Sequence, residues 1–157
     1  MNQTINNTTN ENKITKVAAY FCYYADPTNP SKQYDEQYEY YKEKITSNPD
    51  YEFTGIYADE TSTNTRENFD AMVKDALDGK IDLIIMKSVS RLGKCTVENL
   101  NTIRILRDKG VDIYFENQNF STLGPNSELI LSIYGSFAAE EREKAEEEEF
   151  RRTHSTN

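Results

Sequence analysis

The sequence predicts an α/β domain in which a mainly parallel sheet is covered by helices on both faces. Short apolar runs typical of buried strands alternate with amphipathic stretches of helical spacing, four times along the chain. The chain has 157 residues, 36% of them hydrophobic, which is enough to build one core. We therefore expect a single compact core over residues 15–125.

The first strand is predicted at residues 17–24, a continuous apolar and aromatic run that ends before Pro27 and Pro30. The preceding residues 1–14 are expected to form a disordered tail. Their segment MNQTINNTTNEN holds too few apolar side chains to offset the entropy lost on ordering.

An amphipathic helix is predicted after Ser31, a plausible N-cap residue. Its apolar residues are spaced by four, three and four positions, which places them on one helical face. This stripe comprises Tyr34, Tyr38, Tyr41 and Ile45. Residues 51–57 then alternate between polar and apolar side chains, which predicts the second strand.

A second helix is predicted to end at Gly79, a residue suited to a left-handed terminating conformation. Its apolar face comprises Phe69, Met72, Val73, Ala76 and Leu77. The short apolar run 81–86 follows between polar flanks, and its length favours a central strand.

The last part of the chain is predicted to contain two helices and one strand. Residues 96–109 form a helix ended by Gly110, and residues 111–115 form a strand followed by a loop at 116–125. A long helix is expected to begin near Asn126 and to end at Arg151 or Arg152, leaving residues 153–157 as a tail.

The composition argues against several classes of function. A net charge of −9 disfavours nonspecific binding to nucleic acid, because that affinity depends largely on Lys and Arg. The two cysteines and His154 lack the spacing of metal ligands, so we expect no metal and no cofactor. No apolar run approaches the roughly 18 to 20 residues that cross a bilayer, so we expect a cytoplasmic protein without a membrane partner.

Five segments resemble the N-terminal catalytic domain of serine site-specific recombinases, the resolvase/invertase family, and most closely its large transposon-type branch. They are KVAAY at 16–20, GIYADE at 55–60 with Arg66 and Phe69 after it, DLIIMKSVSRLGK at 82–94, KGVDIYF at 109–115, and the start of the last helix at 128–142. The resemblance covers residues 16–142. It implies a resolvase-like three-layer sandwich with a mainly parallel central sheet and a long C-terminal helix used for dimerisation.

The resemblance also implies a reaction and a set of site residues. Members of the family cut DNA with a serine that attacks a phosphate, while several arginines stabilise the transition state. The serine position falls on Tyr24, and an arginine position two residues earlier falls on Cys22. The other matched catalytic positions are Arg66, Ser90, Arg91 and Lys94, and the phosphate-binding positions are Arg66, Arg91, Lys94 and Arg142.

These departures lead to the interpretation of a catalytically inactive relative. A tyrosine hydroxyl lies several ångströms farther from the backbone than a serine hydroxyl, and a misplacement of about 1 Å can cost on the order of a hundredfold in rate. The segment EEREKAEEEE at 140–149 carries seven acids and two bases, which disfavours contact with DNA. DNA contact is therefore expected to be weak or to occur through a partner.

Three functions stay open on the sequence. The first is an accessory subunit that forms a homodimer, or a hetero-oligomer with an active recombinase, through an apolar stripe comprising Ile130, Ile133, Tyr134 and Phe137. The second is an active subunit that performs strand exchange with non-standard residues such as Tyr24. The third is a module that binds another anion or a small ligand at the position of the family's active site, where we expect Arg66, Arg91 and Lys94 to converge.

Overall fold

A computed structural model of the chain describes residues 13–63, 65–88 and 96–154, except for the side chains of residues 96–99, 130, 133–143 and 145. At its centre lies a five-stranded sheet in the order β2-β1-β3-β4-β5. The strands are β1 (Thr15–Tyr23), β2 (Tyr51–Glu60), β3 (Leu83–Met86), β4 (Asp112–Phe115) and β5 (Phe120–Ser121). The helices are α1 (Lys32–Thr46), α2 (Glu67–Leu77), α3 (Thr96–Asp108) and α4 (Ser127–His154).

The sheet is mainly parallel, which confirms the predicted fold class. Strand β1 runs parallel to both β2 and β3, and β3 runs parallel to β4. The prediction of a loop over residues 116–125 was wrong, because β5 lies within it and pairs antiparallel with β4. Two residues are too few to show an alternating pattern, and Asn119 makes the turn with a positive φ of 47°.

The larger part of the core lies on the face of the sheet covered by α2, α3 and α4. Tyr20 of β1 and Phe69 of α2 meet edge to face there, with 5.1 Å between ring centroids. The other buried residues of this layer include Met72, Ala76, Ile84, Met86, Ile103, Leu106, Ile113, Phe115 and Leu131. Of the predicted apolar face of α2, only Leu77 is exposed and Val73 is half-buried.

Helix α1 covers the opposite face, so the three-layer arrangement is confirmed. The predicted aromatic stripe of α1 points inward, with Tyr41 and Ile45 buried and Tyr34 and Tyr38 half-buried. The ring of Tyr41 stacks on that of Phe21 of β1, with 6.0 Å between centroids.

The helix ends follow the sequence signals in most places. Gly79 and Gly110 have positive φ values of 83° and 78°, as the left-handed terminations of α2 and α3 require. Ser31 stands at the N-cap position of α1, although its hydroxyl makes no capping hydrogen bond.

Helix α4 has 28 residues and begins at Ser127. It continues to His154, beyond the expected end at Arg151 or Arg152, so part of the segment expected as a tail is helical. Among the described side chains of α4, Leu131, which the sequence analysis did not single out, is buried in the main core. None of the helices in the described part of the chain combines the length and apolar content that crossing a bilayer requires.

Two isoleucines of α3 test this packing within one helix. Replacing the buried Ile103 with alanine should lower the free energy of unfolding by about 2–5 kcal/mol, because it leaves a cavity under the sheet. The matched change Ile105→Ala, at a side chain 52% exposed, should alter it by about 0.5 kcal/mol or less. Urea denaturation of the two variants measures both values, and equal losses would contradict the described orientation of α3.

Candidate functional site

A hydrogen-bonded network joins the carboxyl ends of β1 and β2 to the start of α2. The buried carboxylate of Asp59 accepts hydrogen bonds from the Tyr20 hydroxyl at 2.9 Å and from the backbone N–H groups of Asn68 and Phe69 at 3.0 Å each. Arg66 occupies the N-cap position of α2 but has no acceptor in its side chain. Asp59 therefore caps α2 from a different element.

Cys22 belongs to the same network. It lies half-buried opposite Asp59 in the β1–β2 ladder, and its Sγ is 3.4 Å from the Tyr20 hydroxyl oxygen. Because Tyr20 gives its only hydroxyl proton to Asp59, the thiol is the donor to Tyr20. Burial, followed by the contact with Cys22, raises the pKa of Tyr20 far above its usual value, so the phenol stays protonated.

The guanidinium of Arg66 lies on aromatic rings above this network. Its central carbon is 4.0 Å from the ring centroid of Phe69 and 5.8 Å from that of Tyr20. Both distances are within the range of a cation–π interaction. Arg66 is thus held on the side of the sheet that α2 covers.

A polar cleft of about 430 Å³ opens on the α1 side of the same strand ends. It lies where the strand order reverses, between β1 and β3, the position at which open α/β sheets usually bind ligands. Its lining residues are Cys22, Tyr24, Gln33, Glu36, Gln37, Thr61 and Lys87. Arg66 is not among them.

Two glutamines of α1 fix the end of β1 in this cleft. The side-chain oxygen of Gln33 accepts the backbone N–H of Tyr24 at 2.8 Å, and the side-chain nitrogen of Gln37 donates to the carbonyl of Cys22 at 3.3 Å. The Tyr24 side chain itself is 52% exposed. In this cleft the backbone of residues 22–24 is therefore fixed by hydrogen bonds, whereas the Tyr24 side chain is exposed.

A second cleft of about 370 Å³ adjoins the first and shares Glu36, Gln37 and Lys87 with it. Glu116, just beyond β4, accepts the Tyr40 hydroxyl at 2.6 Å and forms an ion pair with Lys44. Burial alone would raise the pKa of Glu116, but hydrogen bonds from Lys44, Tyr40 and Tyr41 together lower it below its usual value. This ion pair links α1 to the end of β4.

The structure brings together part of the expected site. Cys22 and Tyr24 line one cleft, and Arg66 reaches the network of Cys22 from the other face through Tyr20. Ser90, Arg91 and Lys94 lie outside the described residues, so their expected convergence with Arg66 stays a prediction. Arg142 and the stripe of Ile130, Ile133, Tyr134 and Phe137 belong to α4, but their side chains are not described.

Sequence reasoning missed the residues that organise the site. Asp59 lies in the GIYADE segment, and its place at the end of β2, ahead of α2, is the signal that marks a residue able to cap the helix. Gln33, Gln37 and Lys87 carry no such signal, because only the folded sheet brings them to one edge. Among the residues that the structure describes, no group of three or more side chains is arranged to hold a metal ion.

Comparison with solved structures supports the fold. A resolvase family site-specific recombinase from Streptococcus pneumoniae superposes with a TM-score of 0.63 at 22% identity, covering 87% of this chain and 94% of that one. The N-terminal catalytic domain of TP901-1 integrase superposes with a TM-score of 0.58 at 16% identity, covering 83% and 98%. No curated protein matches the sequence.

The family model, together with the fold, defines the class of the chain as a serine recombinase N-terminal domain. The family model described as "Resolvase, N terminal domain" matches residues 25–153, and the chain belongs to that family. The match begins directly after Tyr24. It therefore leaves out β1, which carries Cys22, and Tyr24 directly after that strand.

Asp59 provides a test of the network. Asp59→Ala should lower the free energy of unfolding by about 2–4 kcal/mol, because it leaves three donors without their acceptor. The control Asp70→Ala removes an exposed acid from the first turn of the same helix, and it should cost about 1 kcal/mol or less. Urea denaturation with detection by circular dichroism measures both. Equal losses in the two variants would mean that the hydrogen bonds of Asp59 stabilise the fold no more than the interaction of Asp70 with the dipole of α2.

Glu116 provides a test that depends on pH. Its pKa is lowered in the fold, so its carboxylate stabilises the protein above the ordinary value of 4.5, and that stabilisation is lost as pH falls through the folded pKa. Unfolding free energies measured from pH 7 to pH 3 should therefore fall less steeply in Glu116→Gln than in the unchanged protein. An unchanged slope in Glu116→Gln would contradict the assignment.

Proposed function

We propose that this chain is a non-catalytic serine recombinase-like subunit that serves DNA site-specific recombination as an accessory or dimerisation partner. The proposal rests on the end of β1, where the sequence resemblance assigns Cys22 to the arginine position and Tyr24, just after the strand, to the serine position of the family. The function of the two solved neighbours is given by their names, a site-specific recombinase and an integrase.

The position of Tyr24 argues against a serine-type attack. Its backbone N–H is tied to Gln33, so the chain cannot retreat to compensate for the greater length of a tyrosine side chain. The phenol oxygen therefore extends beyond the point that a serine oxygen would reach, into the solvent side of the cleft. Catalysis by a displaced nucleophile falls steeply with distance.

Cys22 argues against stabilisation of the transition state. Charge on a pentacovalent phosphate is stabilised by guanidinium groups, whereas a thiol offers one weak donor, and here that donor is directed to Tyr20. Among the described residues that line the cleft, Lys87 is the only cation. This part of the cleft is therefore poorly suited to a developing negative charge.

A partner role agrees with the charge and with α4. The net charge of −9 and the exposed acidic residues 146–149 disfavour direct contact with DNA, so recruitment through another subunit is the more favourable route. The stripe of Ile130, Ile133, Tyr134 and Phe137 along α4 is the proposed pairing surface, with a second copy or with an active recombinase. The cytoplasm is the compartment in which such a partner would act.

The catalytic half of the proposal is tested by trapping covalent intermediates. The purified chain is incubated with a labelled supercoiled plasmid that carries the recombination site of its host element, then denatured and examined for a protein–DNA adduct. We expect no adduct, while the related active enzyme, as the positive control, forms one on the same plasmid. An adduct that disappears in Tyr24→Phe would overturn the proposal and identify a tyrosine nucleophile.

The pairing half is tested by sedimentation equilibrium. The double change Ile133→Ala and Phe137→Ala should weaken self-association, or association with the active enzyme, by about tenfold or more, because two apolar anchors are removed. Glu146→Ala is the control, since position 146 lies half a turn around the helix from Phe137. If the double variant associates as strongly as the unchanged chain, α4 is not a pairing surface. The same conclusion follows if the unchanged chain associates neither with itself nor with the active recombinase.

A further inference from the structure

The first turn of α4 is held by two arginines of α3. Arg104 binds one oxygen of the Glu128 carboxylate, donating from Nε at 2.9 Å and also from Nη2. Arg107 reaches the other oxygen from its Nη2 at 2.9 Å. Both oxygens of Glu128 are thus used by α3, and we call these three residues the α3–α4 ion cluster.

The same turn is fixed from two further directions. The side chain of Leu131 is buried in the main core, and the hydroxyl of the buried Ser127 lies 3.3 Å from Nη1 of Arg107. Asn126 precedes the helix in a left-handed conformation with φ of 63°, so the chain turns sharply before α4 begins. Leu131 sets the depth of the helix in the core, and the ion cluster constrains its rotation about that point.

Beyond this turn the described side chains of α4 face solvent. Lys144 and residues 146–154 are all exposed. A helix of 28 residues is about 42 Å long at roughly 1.5 Å per residue, so a tilt of about 10° at its base moves its far end by roughly 7 Å. A small change at Glu128 is therefore amplified along α4.

We propose that the α3–α4 ion cluster fixes the direction in which α4 leaves the core. Because the three side chains are partly exposed, their attraction is screened by salt and is individually weak. A partner that binds α4 in another direction therefore has only a small free energy to overcome at this cluster. Hydrogen bonds from Arg104 and then Arg107 lower the pKa of Glu128, which keeps it ionised at neutral pH.

The direction of α4 does not depend on the proposed function. The effect of that direction on pairing rests on the proposed function, in which α4 is the surface that contacts a partner. The two are separable because the direction of α4 is measured on the isolated chain, whereas pairing is measured with the partner present.

The test is the distance distribution between two spin labels measured by double electron–electron resonance. Labels are attached to p-acetylphenylalanine at the exposed positions 50 and 148, which leaves both native cysteines in place. In Glu128→Gln the distance distribution should shift or broaden by several ångströms, comparable to the displacement of roughly 7 Å expected at the far end of α4 for a tilt of about 10°. The unchanged chain in about 1 M salt should behave similarly, because the Debye length falls to about 3 Å.

Two further variants make the result specific. Glu147→Gln removes the ion pair with Arg151 within α4 itself and should leave the distribution unchanged. Arg104→Lys keeps the charge but loses the forked donor, so its distribution should lie between those of Glu128→Gln and the unchanged chain. Circular dichroism confirms that each variant is folded, and the salt series tests the proposal without any substitution.

An unchanged distribution in both Glu128→Gln and high salt overturns the proposal. A changed distribution supports it, and sedimentation of the same samples with the partner then reports on pairing. If the distribution changes while association stays constant, the ion cluster directs α4 and pairing does not depend on that direction.

Discussion

A carboxylate removed from water needs several hydrogen-bond donors, and Asp59 obtains three of them from two other elements. One donor comes from β1 through Tyr20, and two come from the first turn of α2. The positions of Cys22 and Arg66 follow from this arrangement, since one contacts Tyr20 and the other immediately precedes α2. The geometry of the candidate site is therefore set by a residue that does not line the cleft.

The cleft itself results from unequal strand lengths. Strand β1 pairs with β2 along all nine of its residues, but with β3 only through Val17, Ala18 and Ala19. The last residues of β1 thus extend past β3, and along that edge no strand of the described part of the chain pairs with them. Helix α1 supplies Gln33 and Gln37 to this edge, which satisfies two of its polar groups and leaves space between them.

The sequence was most informative where a pattern is local. The tyrosine stripe of α1 and the glycines that end α2 and α3 were predicted because spacing and φ preference act within a few residues. Strand β5 was missed because two residues hold no period, and the capping role of Asp59 was missed because its partners lie nine or ten residues away. The roles of Tyr24 and Cys22 came from family resemblance, and their shared cleft came from the fold.

The contact between Cys22 and Tyr20 affects how well position 22 would accept an arginine side chain. The negative charge of Asp59 is already compensated by the amino end of α2, with Arg66 nearby over the rings of Tyr20 and Phe69. An arginine introduced at position 22 would enter a half-buried place whose charge is balanced, and it would also displace the thiol from Tyr20. A change to arginine at this position alone therefore carries an energetic penalty, which only further changes around Tyr20 and Asp59 would remove.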